Sequence, residues 1–407
     1  MTDLASRGVR FVRVLHADIH GNARSKELPL SRLPASLGYC MASLAEGLDG
    51  EPFVEGPGFI GGPEFPDAFA VPELASARVV PWEPESAWVL ADLTETGLCS
   101  RSALRRVLAR FGERGLEAIC ASELEFYLLD GDERYSPRVG MAYTSGRRSD
   151  PDGVVRGILE ALDGLGVPAT TALREFSPGQ FEVNLHHEPA LAAADSAFLL
   201  KEVAREVASA HELVASFMPK PFADDEGSSH HIHLSLWRGG GNAFATDDGL
   251  VRQFAAGVIE HAPALCAVGS PIVNSYKRLG AGGLSPTHAN LSGDDRGAFL
   301  RIPGEGGPHA RVEVRGADAS SNPYLLYAAT LAAGLDGIER ELAVPDSFPV
   351  LPATLDVALD ALAGDAVVAG ALGPDLTAAR LAIGRRDLQR FSRAVTDWER
   401  AEYLTQA

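Results

Sequence analysis

Four short segments of this chain alternate polar and apolar residues with the period of a β-strand, and in each the polar side carries reactive groups. Successive strand residues point to opposite faces. In Glu123-Leu-Glu-Phe-Tyr-Leu the carboxylates of Glu123 and Glu125 therefore share one face, while Leu124, Phe126 and Leu128 fill the other. Gln180, Glu182 and Asn184 share a face in the second segment, His231, His233 and Ser235 in the third, and Arg311, Glu313 and Arg315 in the fourth. One such strand reads as a sheet with a solvated face. Four together, with polar faces built only of Glu, His, Gln, Asn, Ser and Arg, are expected to lie side by side and line one concave site. Carboxylates at that density raise one another's pKa and repel unless a cation neutralises them. Oxygen donors with one or two imidazoles suit Mg²⁺ or Mn²⁺, and the arginines suit an anion. With no Walker or Rossmann glycine pattern, nucleotide phosphates held by metal ions and guanidinium groups are the expected ligand.

The rest of the composition sets limits. A chain of 407 residues, 46% hydrophobic and 22% charged, holds enough material for two to three globular domains. A net charge of −19 excludes non-specific binding to nucleic acid and to anionic membranes. Four of the 36 basic residues are lysines (Lys26, Lys201, Lys220, Lys277) and the rest arginines. Cys40, Cys99, Cys120 and Cys266 follow no metal or redox spacing and read as buried packing thiols of a reducing compartment. No signal-like apolar core opens the sequence and no run approaches the ~20 apolar residues of a membrane span. The expected location is cytoplasmic.

A strand at 9–20, a Gly/Pro-rich stretch at 49–72 and a strand at 87–92 precede a change near residue 97 to long helices alternating with strands. This predicts a small N-terminal α/β domain over 1–97 and a catalytic domain over 98–407. Helices are expected over 102–112, 153–165, 191–213, 250–266, 323–342, 354–363 and 386–404. Asn322 as N-cap with Pro323 at the first helical position marks the fifth.

The segments ASELEFYLL (121–129), EFSPGQFEV (175–183), ASFMPKPFADDEGSSHHIHLSL (215–236), NSYKRL (274–279), RVEVRGADASSNPYLLYAATLAAGLDGI (311–338) and VTDWERAEYL (395–404) resemble glutamine synthetase in order and spacing. The ending looks most like the branch that ligates glutamate to polyamines, ethanolamine or other amines. The resemblance implies an α+β fold: a β-grasp-like N-terminal domain and a catalytic domain whose curved antiparallel sheet lines a funnel. It implies ATP and two or more Mg²⁺ or Mn²⁺ ions, one held by Glu125, Glu175 and Glu182, the other by Glu123, His231 and Glu313. Arg296, Arg301 and Arg311 would contact the nucleotide phosphates and Ser235 the nucleotide. Gly227, His233, Arg278 and Arg315 would bind glutamate, and Arg278, Arg296 and Glu313 are the candidate catalytic residues. A ring-type homo-oligomer, a dodecamer by resemblance, with sites shared between subunits is implied as well.

Departures from the family pattern bear on the nucleophile. Ammonia-using members carry a Glu where this chain has Leu284, and an N-terminal aspartate where it has Gly56, with Glu55 beside it. Loss of both favours an organic amine over ammonia. Glutamine synthesis and a non-catalytic regulatory protein are the alternatives. Glu226 replaces a usual Asn, and with Asp224 and Asp225 it offers a cation site suited to a diamine or polyamine, although such a run is most often a solvated turn. His186, His187, His211, His261 and His309 match nothing catalytic, and Trp82, Trp88, Trp237 and Trp398 read as core or interface anchors.

Overall fold

The computed structural model describes residues 2–51, 66–136, 141–279, 284–304 and 307–406. Strands β1 (Phe11–Ala17), β2 (Ala23–Pro29), β3 (Leu37–Cys40), β4 (Asp67–Pro72), β5 (Arg78–Val80) and β6 (Glu83–Thr94) form the first sheet. Their order is β2-β1-β6-β4-β3, with β5 against β6. β1 and β6 run parallel at its centre and antiparallel strands flank them. Among the described residues, helix in this part is limited to Thr2–Ser6 and short 3-10 turns. The N-terminal unit is thus a β domain, poorer in helix than the α/β unit expected.

The second sheet is built around the 14-residue strand β7 (Glu117–Asp130). Its other members are β8 (Glu133–Arg134), β9 (Ala169–Arg174), β10 (Gln180–Leu185), β11 (Glu188–Pro189), β12 (Val214–Ser216), β13 (His230–Arg238), β14 (Gly241–Asn242), β15 (Leu291–Ser292), β16 (Leu300–Arg301) and β17 (Val312–Val314). The main path runs β15-β16-β17-β13-β7-β10-β9, so the four alternating segments are consecutive neighbours. Their apolar residues, including Leu124, Phe126, Val183, Ile232, Leu234 and Val312, are buried together on the back of the curled sheet. Helix Ala190–Ala210 packs on β7 from that side, and helix Pro323–Glu339, almost entirely buried, lies among the neighbouring helices and reaches the sheet through the Tyr327 hydroxyl, 2.8 Å from Ser122 Oγ. The latter starts as read from the sequence: the Asn322 side-chain oxygen accepts from the N–H of Tyr324 at 3.0 Å, while its amide donates to the Asp18 carbonyl at 3.0 Å and fastens the end of β1.

Other helices differ from expectation. The run 250–266 is two helices, Asp248–Glu260 and Ala262–Gly269, because Pro263 has no N–H to continue the ladder and opens the second helix instead; His261 between them turns its ring nitrogens to Asp365 (2.6 Å) and Asp336 (3.0 Å). The third expected helix ends at Ala210, and the chain enters β12 instead. Helix Ala366–Leu372 was not foreseen, and the last stretch is two helices, Pro374–Arg393 and Asp397–Tyr403, the second opened by a capping box between Thr396 and Glu399. Cys40 is exposed, unlike the other three cysteines. Trp88 is buried with Trp82 edge-on at 5.5 Å, while Trp398 is exposed. Among the described residues no single helix is long and apolar enough to cross a membrane.

Arg101 ties the two sheets' surroundings together. Its guanidinium is bidentate to Asp195 (2.8 and 2.8 Å) and also meets Asp92 at the end of β6 (2.9 Å) and Glu73 (2.6 Å). Asp195 accepts in addition from the Tyr324 hydroxyl at 2.7 Å. Removing one partner of a buried ion pair strands the other charge. Arg101→Ala is therefore expected to cost roughly 3–5 kcal/mol in urea denaturation, while Arg105→Ala, whose side chain is 41% exposed, should cost about 1 kcal/mol or less. Equal losses would show that burial is not what makes the Arg101 cluster matter.

Candidate active site

Strand register places the reactive side chains. Glu182 stands opposite Glu125 and Asn184 opposite Glu123 across β10 and β7. His231 faces Glu123 across β7 and β13, and Glu313 pairs with both His233 and Arg301. Glu175 comes from the turn between β9 and β10, where its N–H donates to the Gln180 carbonyl at 2.9 Å. That turn requires Gly179, whose φ is +73° and whose absent Cβ would lie 2.8 Å from the Tyr135 carbonyl oxygen.

Glu123, Glu125, Glu175, Glu182, Asn184 and His231 line a cavity of about 560 Å³ together with Tyr143, Phe176, Glu226, Gly227, Leu284, Arg296 and Arg315, while Glu313, His233 and Arg301 lie off its wall. A second cavity of about 320 Å³ shares Glu123 and Asn184 with it and is lined by His233, Ser235, Arg311 and Trp237. His186, His187 and His309, set aside in the sequence, stand on this second wall, the first two stacked at 4.2 Å. Trp237 is there too, its indole N–H donating to the Ser235 hydroxyl at 3.0 Å, so it serves the cavity and not only the core. No motif marked these residues, because they converge from separate loops. Glu55 and Gly56 lie outside the described residues.

The site divides electrostatically. On one side Glu125, Glu175 and Glu182 offer oxygens within 4.8 Å of one another. Burial pushes Glu125 up to about 7, with the Glu175 charge adding, and Glu182 up to about 9, with its carboxylate neighbours adding. Glu175 is raised as well, first by burial. Two buried carboxylates and a half-buried third, with no ion-pair partner in contact, are the donor set of a hard divalent cation. On the other side, burial also works to raise Glu123, but His231 at 3.4 Å and His233 at 2.9 Å override it and hold its carboxyl well below the ordinary range. Glu313 is likewise held low against its burial by the imidazoles and by Arg315 at 2.6 Å, with Arg301 at 2.7 Å.

Four expectations need correction. Glu123, His231 and Glu313 do not gather as one trio; Glu123 belongs to two overlapping groups, one with Glu182 and His231, the other with His233 and Glu313. The two arginines draw the Glu313 carboxylate aside. His233, expected on glutamate, is engaged with Glu123 and accepts from Arg311 at 3.2 Å. Arg278 is not on the cavity wall. It is buried behind Gly227, where a Cβ would lie 2.7 Å from its stem, and it donates to Ser229 Oγ (2.9 Å) and the carbonyls of Gly316 and Arg315 (3.3 Å each). The acidic run is also divided: Asp225 pairs with Arg134 and only Glu226 reaches the cavity.

A curled sheet presenting clustered carboxylates beside arginines offers donor sets for a divalent cation next to groups that suit an anion. Residues 97–403 match the glutamine synthetase catalytic domain family. The chain is 32% identical to a glutamine synthetase of Methanocaldococcus jannaschii, with 97% of this chain and 95% of that protein covered. It is 33% identical to one from Mycolicibacterium smegmatis, covering 99% and 97%. Among solved structures, a GmaS–ADP complex superposes with a TM-score of 0.89 at 31% identity, covering 99% of this chain and 100% of that one. Ligand-free GmaS gives 0.87 at 32% identity with both chains fully covered. The chain belongs to the glutamine synthetase family, and its structural neighbours include GmaS, a glutamine synthetase-like amine ligase.

The raised carboxyls make a signed prediction. Folded Glu125 and Glu182 hold protons up to about 7 and 9, against 4.5 ordinarily, so between those values the folded chain binds more protons than the unfolded one and stability falls as pH rises. In EDTA the melting temperature should drop from pH 6 to pH 8. Mg²⁺ should restore it, more at pH 8. Glu182→Gln should raise the melting temperature in EDTA at pH 8 and shrink the Mg²⁺ gain. A Mg²⁺ gain independent of both pH and this substitution would place the cation elsewhere.

Proposed function

We propose that the protein is an ATP-dependent ligase that activates the γ-carboxylate of glutamate as γ-glutamyl phosphate and transfers the acyl group to an organic amine, releasing ADP and phosphate. The observation that carries this reading over glutamine synthesis is Leu284, 47% exposed on the wall of the acidic cavity, where the family resemblance calls for a glutamate. An aliphatic side chain neither attracts ammonium nor takes its proton, and it offers a carbon-bearing amine a surface to cover. The likeness to GmaS supports the reading. The curated relatives named glutamine synthetase favour ammonia as the competing nucleophile.

In this reading Glu125, Glu175 and Glu182 hold one divalent ion, and Glu123 with His231 the second, joined by Glu313 once an anion draws its two arginines away. The ions, Mg²⁺ or Mn²⁺, supply charge neutralisation at the phosphate and acyl oxygens. Arg296, Arg301 and Arg311 orient the phosphates, Ser235 the nucleotide, and Gly227 and Arg315 the glutamate, while His233 stays with Glu123 and Arg311. Arg278 acts by positioning, since its stem sits beneath Gly227 and its guanidinium holds the Arg315 carbonyl. A ring-type homo-oligomer in the cytoplasm belongs to the same reading.

Phosphate release and product mass with ATP, Mg²⁺, glutamate and a series of amines test it. Turnover with at least one organic amine should exceed that with ammonia. Glu125→Gln should lower it by at least about 100-fold, the upper end of what loss of an outer-shell partner costs a metal site. Ammonia outpacing every amine would replace this reading with glutamine synthesis.

A further inference from the structure

His261 lies outside both cavities, and its surroundings fix its protonation state. It stands between helices Asp248–Glu260 and Ala262–Gly269, buried, with its N–H closing the first on the Gly257 carbonyl (3.1 Å) and its carbonyl accepting from the Leu265 N–H (2.9 Å) to open the second. Nδ1 of the ring lies 2.6 Å from Asp365 Oδ2, and Nε2 lies 3.0 Å from Asp336 Oδ2. A carboxylate only accepts hydrogen bonds, so both ring nitrogens must carry protons, and only the imidazolium has two. Burial works to lower the pKa of the ring, but Asp365 and Asp336 override it and hold it above the ordinary 6.5. Asp365 is held low in turn, against its burial, by the same contact with His261.

The charges on every element around the ring favour this state. Asp336, from helix Pro323–Glu339, also accepts from Arg340 at 2.8 Å, and Glu260, from the helix before His261, is 3.9 Å from the same guanidinium. Helix Ala262–Gly269 carries no charged residue. Helix Leu355–Gly364, packed on it, carries Asp356 and Asp360, both exposed, the first bonded to Thr354 and the second 3.5 Å from Arg385. Asp365 meets the ring with one oxygen and with the other caps helix Ala366–Leu372, accepting from the N–H groups of Val367 and Val368 at 3.0 Å each. Two carboxylates in contact and a third nearby thus face one half-exposed guanidinium, and the imidazolium supplies the missing positive charge.

The far end of helix Ala262–Gly269 meets the segment that brings Arg315 to the acidic cavity. The Gly269 carbonyl accepts from the Asp318 N–H at 2.8 Å, and the Ser270 hydroxyl donates to the Gly316 carbonyl at 3.2 Å. A Cβ on Gly269 would lie 3.0 Å from that of Ala317, so helix and segment touch. We propose that His261 is a pH-operated clasp whose imidazolium ties helix Ala262–Gly269 to helices Pro323–Glu339 and Ala366–Leu372 and thereby braces the segment 315–321. When one ring proton passes to base in the solvent, a nitrogen lone pair is left facing a carboxylate, that contact opens, and the brace loosens. His261 is a positioning residue in this device, which works the same way whichever nucleophile the enzyme takes.

Thermal melting and amide hydrogen exchange of the full chain from about pH 6 to pH 9.5 test it, in saturating Mg²⁺ so that Glu125 and Glu182 stay ionised. With its folded pKa raised, the ring stabilises fully below 6.5 and stops doing so as pH climbs through the folded value. His261→Gln should therefore melt at least about 2 °C below the wild type at the acid end, and the gap should close at the alkaline end. In the wild type, protection of residues 262–269 and 315–321, corrected for the intrinsic amide rate at each pH, should fall roughly tenfold or more over the range. In His261→Gln it should be low and flat. Asp365→Ser keeps an oxygen for the N–H groups of Val367 and Val368 and should move the transition down by about one pH unit or more. If His261→Gln does not fold, the wild-type and Asp365→Ser profiles decide alone. A melting gap equal at both ends of the range, wild-type protection that does not change with pH, or a transition that Asp365→Ser leaves in place would each overturn the inference.

Discussion

Glu125 and Glu182 face each other directly across two adjacent strands, with Glu123 two residues away on the same face and Glu175 completing the cluster. Like charges directly opposite on a sheet destabilise it, and burial adds the cost of removing them from water. The arrangement exists only because other parts of the fold impose this register. The back of the sheet does so through its packed apolar side chains and through one buried polar chain. Ser122 meets His230 Nε2 at 2.8 Å and the Tyr327 hydroxyl at 2.8 Å, and His230 Nδ1 meets Ser321 at 2.9 Å. Burial lowers His230 to about 3, so it serves this chain as a neutral ring. A slip of one residue would turn the carboxylates into the apolar layer and break every one of these bonds.

Two buried basic side chains extend the same support. Lys201 donates to the carbonyls of Ala319 (3.0 Å) and Ser321 (3.2 Å), and Arg278 to those of Gly316 and Arg315. The segment between Arg315 and Ser321 is thus gripped by its backbone from behind, which sends the Arg315 side chain forward to Glu313 and delivers Asn322 to cap the central helix. Arg278 can hold this segment because its guanidinium reaches several acceptors at once in a fixed plane. The same geometry takes it off the cavity wall.

Alternation made the core of the site legible in the sequence. A period of two states which side chains share a face, and Glu123, Glu125, Glu182, His231, His233 and Glu313 do gather as that period requires. It does not state how side chains on that face choose partners, which is why Glu313 turning to Arg301 and His233 turning to Glu123 were missed. Nor does it reach residues delivered by loops. His186, His187, His309, Tyr143 and Phe176 lie on the cavity walls through chain reversals that no local pattern encodes. The helix break at His261 has a local cause, Pro263 two residues on, which the apolar periodicity alone ran straight through. Fold class was easier to read, because the two-fold and 3.6-fold apolar periods are properties of whole segments.

The two halves of the acidic cavity carry their counter-charges differently, and this links what they bind. Glu123 and Glu313 are already compensated by imidazoles and guanidinium groups in direct contact, whereas Glu125, Glu175 and Glu182 have no ion pair, only hydrogen bonds such as those to Glu125 from the Ser229 N–H and Gln180, and the more distant charges of Arg278 and Arg296. A cation therefore gains most in the second half, where it relieves repulsion instead of displacing a partner. An anion has the opposite preference, since Arg301 and Arg315 are the exchangeable cations of the first half. Drawing either arginine onto a phosphate or carboxylate removes compensation from Glu313, and that carboxylate then favours a second cation beside Glu123. By linkage, each of these two binding events strengthens the other. An acidic chain can in this way bind an anionic nucleotide and an anionic acid together: the metal ions and the released arginines bring the positive charge, and the carboxylates determine where it is held.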